Sequence, residues 1–342
     1  MDKRVIFAVA GSVKTTHIVN GLDLDRRFLL ITYTDNNLSN LRRKIIERFG
    51  YFPSNIILLS YFTFLHSFCF KPFLFLQMRT KGINYDWPPE WPRNRTVEAF
   101  YVDRHRRLYH NRIASLLYFK ETVGDVTRRI EKYFDVVCID EVQDFGGYDF
   151  DFLATISGSN VDVLLVGDFY QHTFDTSRDG AKNNSLHDDY EKYKKRFERA
   201  GLGVDTTSLA RSYRCSPAVC DFIRKHLGIE IYSHSNEVTN VTFLDRQDDA
   251  DRLHGCQRTV KLFYENHHKY VCYSENWGKS KGTDHYQDVC VVLTDTASKD
   301  FKNGVLRNAA PQTRNKLYVA CSRARGNLYL MPGQLFKKFK LA

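Results

Sequence analysis

The chain has 342 residues, 43% of them apolar, which suits two domains of ordinary size with real cores and excludes a disordered or fibrous protein. Fifty Lys and Arg against 40 Asp and Glu leave a formal charge of +10, pointing to a polyanionic partner, of which nucleic acid is the usual one. Eight cysteines form no Cys-x-x-Cys pair, so reduced core thiols in a cytoplasmic protein are expected rather than a disulfide scaffold or zinc ribbon. The most apolar stretch, 62–76, is broken by His66 and Lys71 and is too short for a membrane span; no leader segment is expected before the first strand.

An apolar run at 5–9 predicts the first strand. It leads through Gly11-Ser12-Val13-Lys14-Thr15-Thr16 into a helical stretch. Strand, small-residue turn, Lys-Thr and helix make a phosphate-binding arrangement: loop N–H groups and the helix start face the phosphates. Lys14 is placed to reach the β- and γ-phosphates, and the Thr15 hydroxyl to join a Mg²⁺ shell. Val13 stands where such loops carry Gly, which is favoured because the backbone comes close to the phosphates. A second strand is predicted at 28–34, running past Tyr33, followed by a basic helix at 41–49. A third, at 56–59, precedes an aromatic stretch containing Phe64 and His66. Two readings fit those aromatics and that histidine: base stacking on a single strand, or a core cluster with a satisfied His.

Residues 71–125 read as a helical insertion. Trp87-Pro-Pro-Glu-Trp91-Pro92 excludes regular structure. Basic helices are expected from Arg104 to Lys120, either as a solvated face or as a nucleic-acid surface. The run at 136–139 then predicts a strand buried on both faces, ending in Asp140-Glu141-Val142-Gln143-Asp144. Acids at the carboxyl end of such a strand sit where open α/β sheets place ligands. Asp140 can hold Mg²⁺ and Glu141 can deprotonate an attacking water; a strand that simply stops in a polar turn is the plainer alternative.

A further strand, 161–166, ends in Gly167-Asp168-Phe-Tyr-Gln171, whose Gln can sense a γ-phosphate; Phe174, three residues on, can stack a base. The stretch 190–200 predicts a charged, exposed helix. From about 205 a second α/β pattern begins, with a helix starting near Pro217 and strands at 229–232, 241–244, 289–293 and 327–330. Arg323 and Arg325 close a helix before the last strand, as C-terminal cations or, for Arg323, as an arginine finger.

Taken in order, Lys-Thr, Asp-Glu-x-Gln-Asp, Gly-Asp-x-x-Gln, Tyr213-Arg214, Lys281-Gly282-x-Asp284 and Tyr-Val-Ala-x-Ser-Arg-Ala-Arg resemble the UvrD/Rep-like branch of superfamily 1 helicases across nearly the whole chain. The resemblance implies an α/β protein of two RecA-like P-loop domains with parallel sheets: 1–205, carrying the insertion at about 71–125, and 206–342. It implies ATP and Mg²⁺ as cofactors. Asp140, Glu141, Gln171, Arg214 and Arg323 are the catalytic set. Gly11, Ser12, Val13, Lys14, Thr15, Thr16, Tyr213, Gly282 and Asp284 are the nucleotide contacts, with Tyr213 stacking on adenine and Thr15 and Asp140 on the metal. Tyr33, Phe64, His66 and Phe174 fall in or beside the single-strand contacts. Thr16 takes a position where relatives often carry an adenine-stacking Arg, and the adenine-reading motif upstream of the first strand is missing, so relaxed base selectivity is expected. About 65 residues separate Arg214 from Lys281, too few for the large insertion of the second domain, so a minimal motor is expected. The implied function is a DNA-dependent ATPase that translocates on single-stranded DNA, as a 3′–5′ helicase or a translocase. The alternative is a nucleotide-gated DNA sensor or scaffold working with a protein partner such as a nuclease.

Overall fold

A computed structural model describes residues 1–173 and 180–341. The chain divides into two compact units: Met1–Ile6, Lys14–Gly167 and Phe174–Asp205 form the first, and Phe7–Val13, Asp168–Thr173 and Thr206–Ala342 the second.

In the first unit the strands are β1 (Lys3–Phe7), β2 (Phe28–Thr32), β3 (Ile56–Ser60), the short β4 (Ile83–Asn84) and β5 (Leu108–Tyr109), β6 (Val136–Asp140), β7 (Asp162–Gly167) and β8 (Gly203–Asp205). Six of them make one sheet, ordered β3-β2-β6-β7-β1-β8, with parallel register from Phe28↔Val136 to Ile31↔Ile139 and from Val136↔Asp162 to Asp140↔Val166. Every residue of β2 and β6 is buried, as an α/β sheet covered on both faces requires. Helices α1 (Lys14–Asn20), α2 (Asp35–Phe49), α3 (Tyr61–Thr63), α4 (Lys71–Met78), α5 (Ile113–Phe119), α6 (Val123–Tyr133), α7 (Gly147–Ile156) and α8 (Tyr190–Arg199) connect the strands.

The second unit contributes β9 (Arg211–Ser212) paired with β10 (Tyr232–Ser233). Its main sheet is entirely parallel, ordered β11-β15-β14-β12-β13, from β11 (Val241–Phe243), β12 (Thr259–Phe263), β13 (Ser274–Asn276), β14 (Asp288–Leu293) and β15 (Leu328–Pro332). Helices α9 (Pro217–Leu227), α10 (Gln247–Gly255), α11 (Asp295–Lys302) and α12 (Pro311–Cys321) accompany it. Trp277, Leu262, Val291, Leu317 and Leu330 lie in its main core, and Val9 and Ala10 join the same cluster. The α/β class and parallel sheets are therefore as expected.

Several boundaries moved for local reasons. Helix α2 starts at Asp35 rather than 41 because the Thr34 side chain accepts the Asn37 N–H at 3.2 Å, which caps an otherwise poor helix-forming stretch and ends β2 at Thr32. The basic stretch expected to be helical from Arg104 is instead a turn built on Asp103, whose Oδ1 accepts from the His105 and Arg107 N–H groups; helix begins only at Ile113. Helix α8 is not simply exposed, since Tyr193 and Phe197 on one face are fully or nearly fully buried. The strand expected at 229–232 is reduced to Tyr232–Ser233. Among the described residues, no helix is long and apolar enough to cross a membrane.

Candidate nucleotide site

In the first unit the parallel sheet brings Lys14, which opens α1 after β1, to Glu141, just beyond β6. Lys14 Nζ donates to Glu141 Oε2 at 3.1 Å, with both side chains about 90% shielded. Glu141 adopts a left-handed backbone (φ 58°), uncommon for a residue other than Gly and typical of sites where geometry is imposed by function. Its N–H donates to Asp140 Oδ1 at 2.9 Å, so the two adjacent carboxylates are held in a fixed relation. Gln143 Nε2 donates to the same Glu141 oxygen, a positioning contact that the Asp-Glu-x-Gln motif contains but that had been given no role. Gly167 makes this turn possible, because a Cβ there would lie 2.4 Å from Gln143 Oε1 and 2.8 Å from Val142 Cγ1. Thr15 and Thr16 lie in the first turn of α1, and Thr16 Oγ1 accepts from Lys44 Nζ at 2.8 Å.

The preceding loop is strained where the sequence departs from Gly. Val13 has φ 59°, a left-handed conformation that is a genuine outlier for a β-branched residue. Gly11 (φ 74°) is used for close approach within the second unit: an added Cβ would meet Ser212 Oγ at 2.7 Å and Arg214 Cβ at 2.8 Å, and its carbonyl accepts from Tyr213 N–H at 2.8 Å. Ser12 is buried, and its Oγ has no hydrogen-bond partner among the described residues.

Also in the second unit, a hydrogen-bond chain ties this loop to Gln171. Ala10 N–H donates to Tyr318 Oη (2.8 Å), Tyr318 donates to Asp168 Oδ2 (3.0 Å), and Gln171 Nε2 donates to the same carboxylate oxygen (2.8 Å). Burial, with Asp168 beside it, holds the Tyr318 phenol well above its usual pKa, so it stays protonated and able to donate. Tyr318 and Asp168 had no assigned role, although both lie inside quoted motifs.

Asp284 gathers the two arginines. Its Oδ1 accepts from Arg214 Nη2 and lies 3.8 Å from Arg323 Nη1. Arg214 Nη1 also donates to the Ser322 carbonyl at 3.1 Å, and Arg323 to the carbonyls of Thr283 and Val319 at 3.2 Å each. Burial, then the neighbouring Arg214 charge, brings Arg323 down to about 10, which leaves it cationic at neutral pH. Tyr213 is half-exposed with its ring centroid 4.0 Å from that of His234, and Gly282 (φ 84°) has open space around it.

The expected single-strand contacts separate. Phe64 is a correction: it is fully buried in a π-helix over Phe64–Phe70, stacked on Phe68 and close to Phe152, so its ring belongs to the core and has no face for a base. His66 is part-buried against Phe70, and burial lowers its pKa, leaving it neutral. Tyr33 is partly exposed, edge-on to Phe62 and Phe145; burial and the Asp149 charge push its phenol up to about 12. Phe174 lies outside the described residues.

A profile of the viral superfamily 1 RNA helicase core domain matches residues 117–332, well over half of the chain. The chain belongs to that family. It is a family of ATP-hydrolysing helicase enzymes that act on nucleic acid, so the superfamily expectation holds, although the matching profile is the viral one and not that of the UvrD/Rep-like branch. Among solved structures, arterivirus nonstructural protein 10, a helicase, in complex with DNA is 15% identical (TM-score 0.52), the match covering 96% of this chain and 60% of that one. The same arterivirus helicase alone is 14% identical (TM-score 0.52; 98% and 62%), and the helicase of PRRSV is 13% identical (TM-score 0.49; 97% and 52%). These likenesses concern the fold, and the chain spans 52 to 62% of the length of those helicases. No curated protein sequence matches it.

Proposed function

We propose that the chain is an ATPase stimulated by single-stranded DNA that translocates 3′ to 5′ and opens duplex, with the direction and the DNA preference taken from its UvrD/Rep-like motif set. The observation that carries the reading is the Lys14–Glu141 pair at 3.1 Å beside Asp140, at the ends of parallel strands. A cation for phosphate oxygens and a carboxylate for the attacking water's proton are the two groups that phosphoryl transfer needs close together.

The residues present suit ATP and Mg²⁺. Ser12 Oγ is a buried polar atom still wanting a partner, and Thr15 and Asp140 are hard oxygen donors. The expected Mg²⁺ would be held through one carboxylate and a hydroxyl, with water and phosphate completing its shell. Mg²⁺ there would neutralise phosphate charge. Lys14 then binds the phosphates and leaves Glu141, still held by Gln143, as general base. Gln171, oriented by Asp168, senses the γ-phosphate, Tyr213 stacks on adenine, and Arg214 and Arg323 stabilise developing charge. The eight free cysteines suit a cytoplasmic setting.

A second reading, a nucleotide-gated sensor or scaffold that works with a partner such as a nuclease, draws support from Val13 at φ 59° in the Gly position. Steady-state ATP hydrolysis and strand-displacement assays with tailed duplexes of either polarity separate the two. Stimulated turnover with 3′-tailed unwinding supports the motor. Strand binding without turnover supports the sensor.

A further inference from the structure

The insertion of the first unit exposes three large aromatic side chains within seven residues: Tyr85 at 62%, Trp87 at 65% and Trp91 at 68%. Large aromatics bury 150–250 Å² each when they can, so three left in solvent together mark a surface meant to be covered. They are not loose. Tyr85 stacks on His110 (5.7 Å between centroids, 26°) and meets Phe62 edge-on (5.5 Å), and Trp87 meets His110 edge-on (6.1 Å). Phe62 in turn contacts Tyr33, just beyond β2, at 5.7 Å. A run of rings therefore leads from Tyr33 outward to Trp87. His110 is kept neutral by burial and held by the Asn84 carbonyl at 3.3 Å, which makes it a fixed backing for both exposed rings.

The chain around these rings is proline-rich and basic. Pro88, Pro89 and Pro92 limit its conformations, so little freedom is lost when a ligand arrives. Between 79 and 112 there are eight Lys and Arg against four Asp and Glu, and the Arg93 guanidinium lies over the Trp91 ring at 4.9 Å. Exposed aromatic faces among positive charges match a polyanion with free π-faces: unpaired bases on a phosphate backbone. A duplex hides those faces, and an acidic protein surface offers none.

We propose that Tyr85, Trp87 and Trp91 form a stacking platform for unpaired bases of single-stranded nucleic acid, continuing outward from Tyr33. The proposal rests on the reading of the chain as a nucleic-acid-stimulated ATPase and extends its strand contact into the insertion. The chemistry, stacked bases, is shared by DNA and RNA, and the experiment distinguishes them.

The chain has three tryptophans, and the third, Trp277, is fully buried in the second unit, so intrinsic fluorescence reports the platform. Titration with oligo-dT, oligo-rU and a blunt duplex is followed by tryptophan quenching and, separately, by anisotropy of a labelled strand. Saturable quenching by one or both single strands is expected, with the duplex at least ~10-fold weaker. A Trp87→Phe/Trp91→Phe double variant should keep binding and lose the quench. Tyr85→Ala and Trp87→Ala should each weaken strand binding roughly 5- to 150-fold while basal ATP turnover holds. Anisotropy binding without quench, unaffected by the alanine variants, overturns the platform and leaves the ATPase reading standing. Binding to none of the strands overturns both.

Discussion

Each unit sets a carboxylate against basic side chains, and the two do it in opposite senses. In the first, Glu141 is the shielded partner, 12% exposed, and Lys14 reaches to it. In the second, Asp284 is 61% exposed, and the arginines it gathers, Arg214 and Arg323, are 10% and 2% exposed. A shielded carboxylate with donors aimed at it is held ionised and in a fixed place. An exposed one against two desolvated guanidiniums offsets part of the cost of burying their charge. Similar ion pairs on paper thus sit in opposite environments, and burial tells them apart.

Substitutions should reproduce that difference. Glu141→Gln keeps shape and hydrogen bonding but removes the base, so ATP turnover should fall ~10²–10⁴-fold with nucleotide affinity preserved; single-turnover kinetics beside a binding assay check this. Arg323→Ala should cost on the order of 10²-fold in kcat, whereas Asp284→Asn, which leaves both guanidiniums in place but less well anchored, should cost only about tenfold. Equal losses at Asp284 and Glu141 would dissolve the distinction.

Two smaller effects sharpen it. Val13→Gly relieves a left-handed β-branched residue, worth roughly 1–2 kcal/mol, against a chain-entropy cost of about 0.5–1 kcal/mol. Urea unfolding should show a net gain of up to ~1 kcal/mol, and nucleotide affinity should rise. Far from the site, Arg27 N–H groups hold Asp135, mainly by side-chain hydrogen bonding, down to about 2. A folded pKa below the usual carboxylate value means stabilisation that is present above about 4 and fades as pH falls through about 2. Arg27→Ala should therefore lower stability slightly at neutral pH, the pair being exposed, and leave it unchanged below about pH 2, which urea unfolding at the two pH values checks.

The strands of the first sheet were legible because β2 and β6 are unbroken apolar runs. β12 was not: Lys261 interrupts Thr259–Phe263, yet every residue there is buried, and the lysine is accommodated by donating to the Cys256 carbonyl at 2.7 Å. Motif order singled out the charged residues that the structure groups, Lys14 with Glu141 and Arg214 with Asp284 and Arg323. Their supports, Gln143, Asp168 and Tyr318, were hidden, since a positioning hydrogen bond can come from many residue types. Aromatic content also misled. Phe64 and Trp87 look alike as letters, and only packing separates the buried ring from the exposed one.

The central claim is that Lys14 and Glu141 belong to a working nucleotide site. The direct test is steady-state ATP hydrolysis with and without single-stranded DNA, for the unaltered chain and for Lys14→Ala. Strong stimulation by the strand, abolished by the substitution while strand binding persists, is the predicted result. Turnover that survives Lys14→Ala, or none in the unaltered chain under saturating strand, would contradict it.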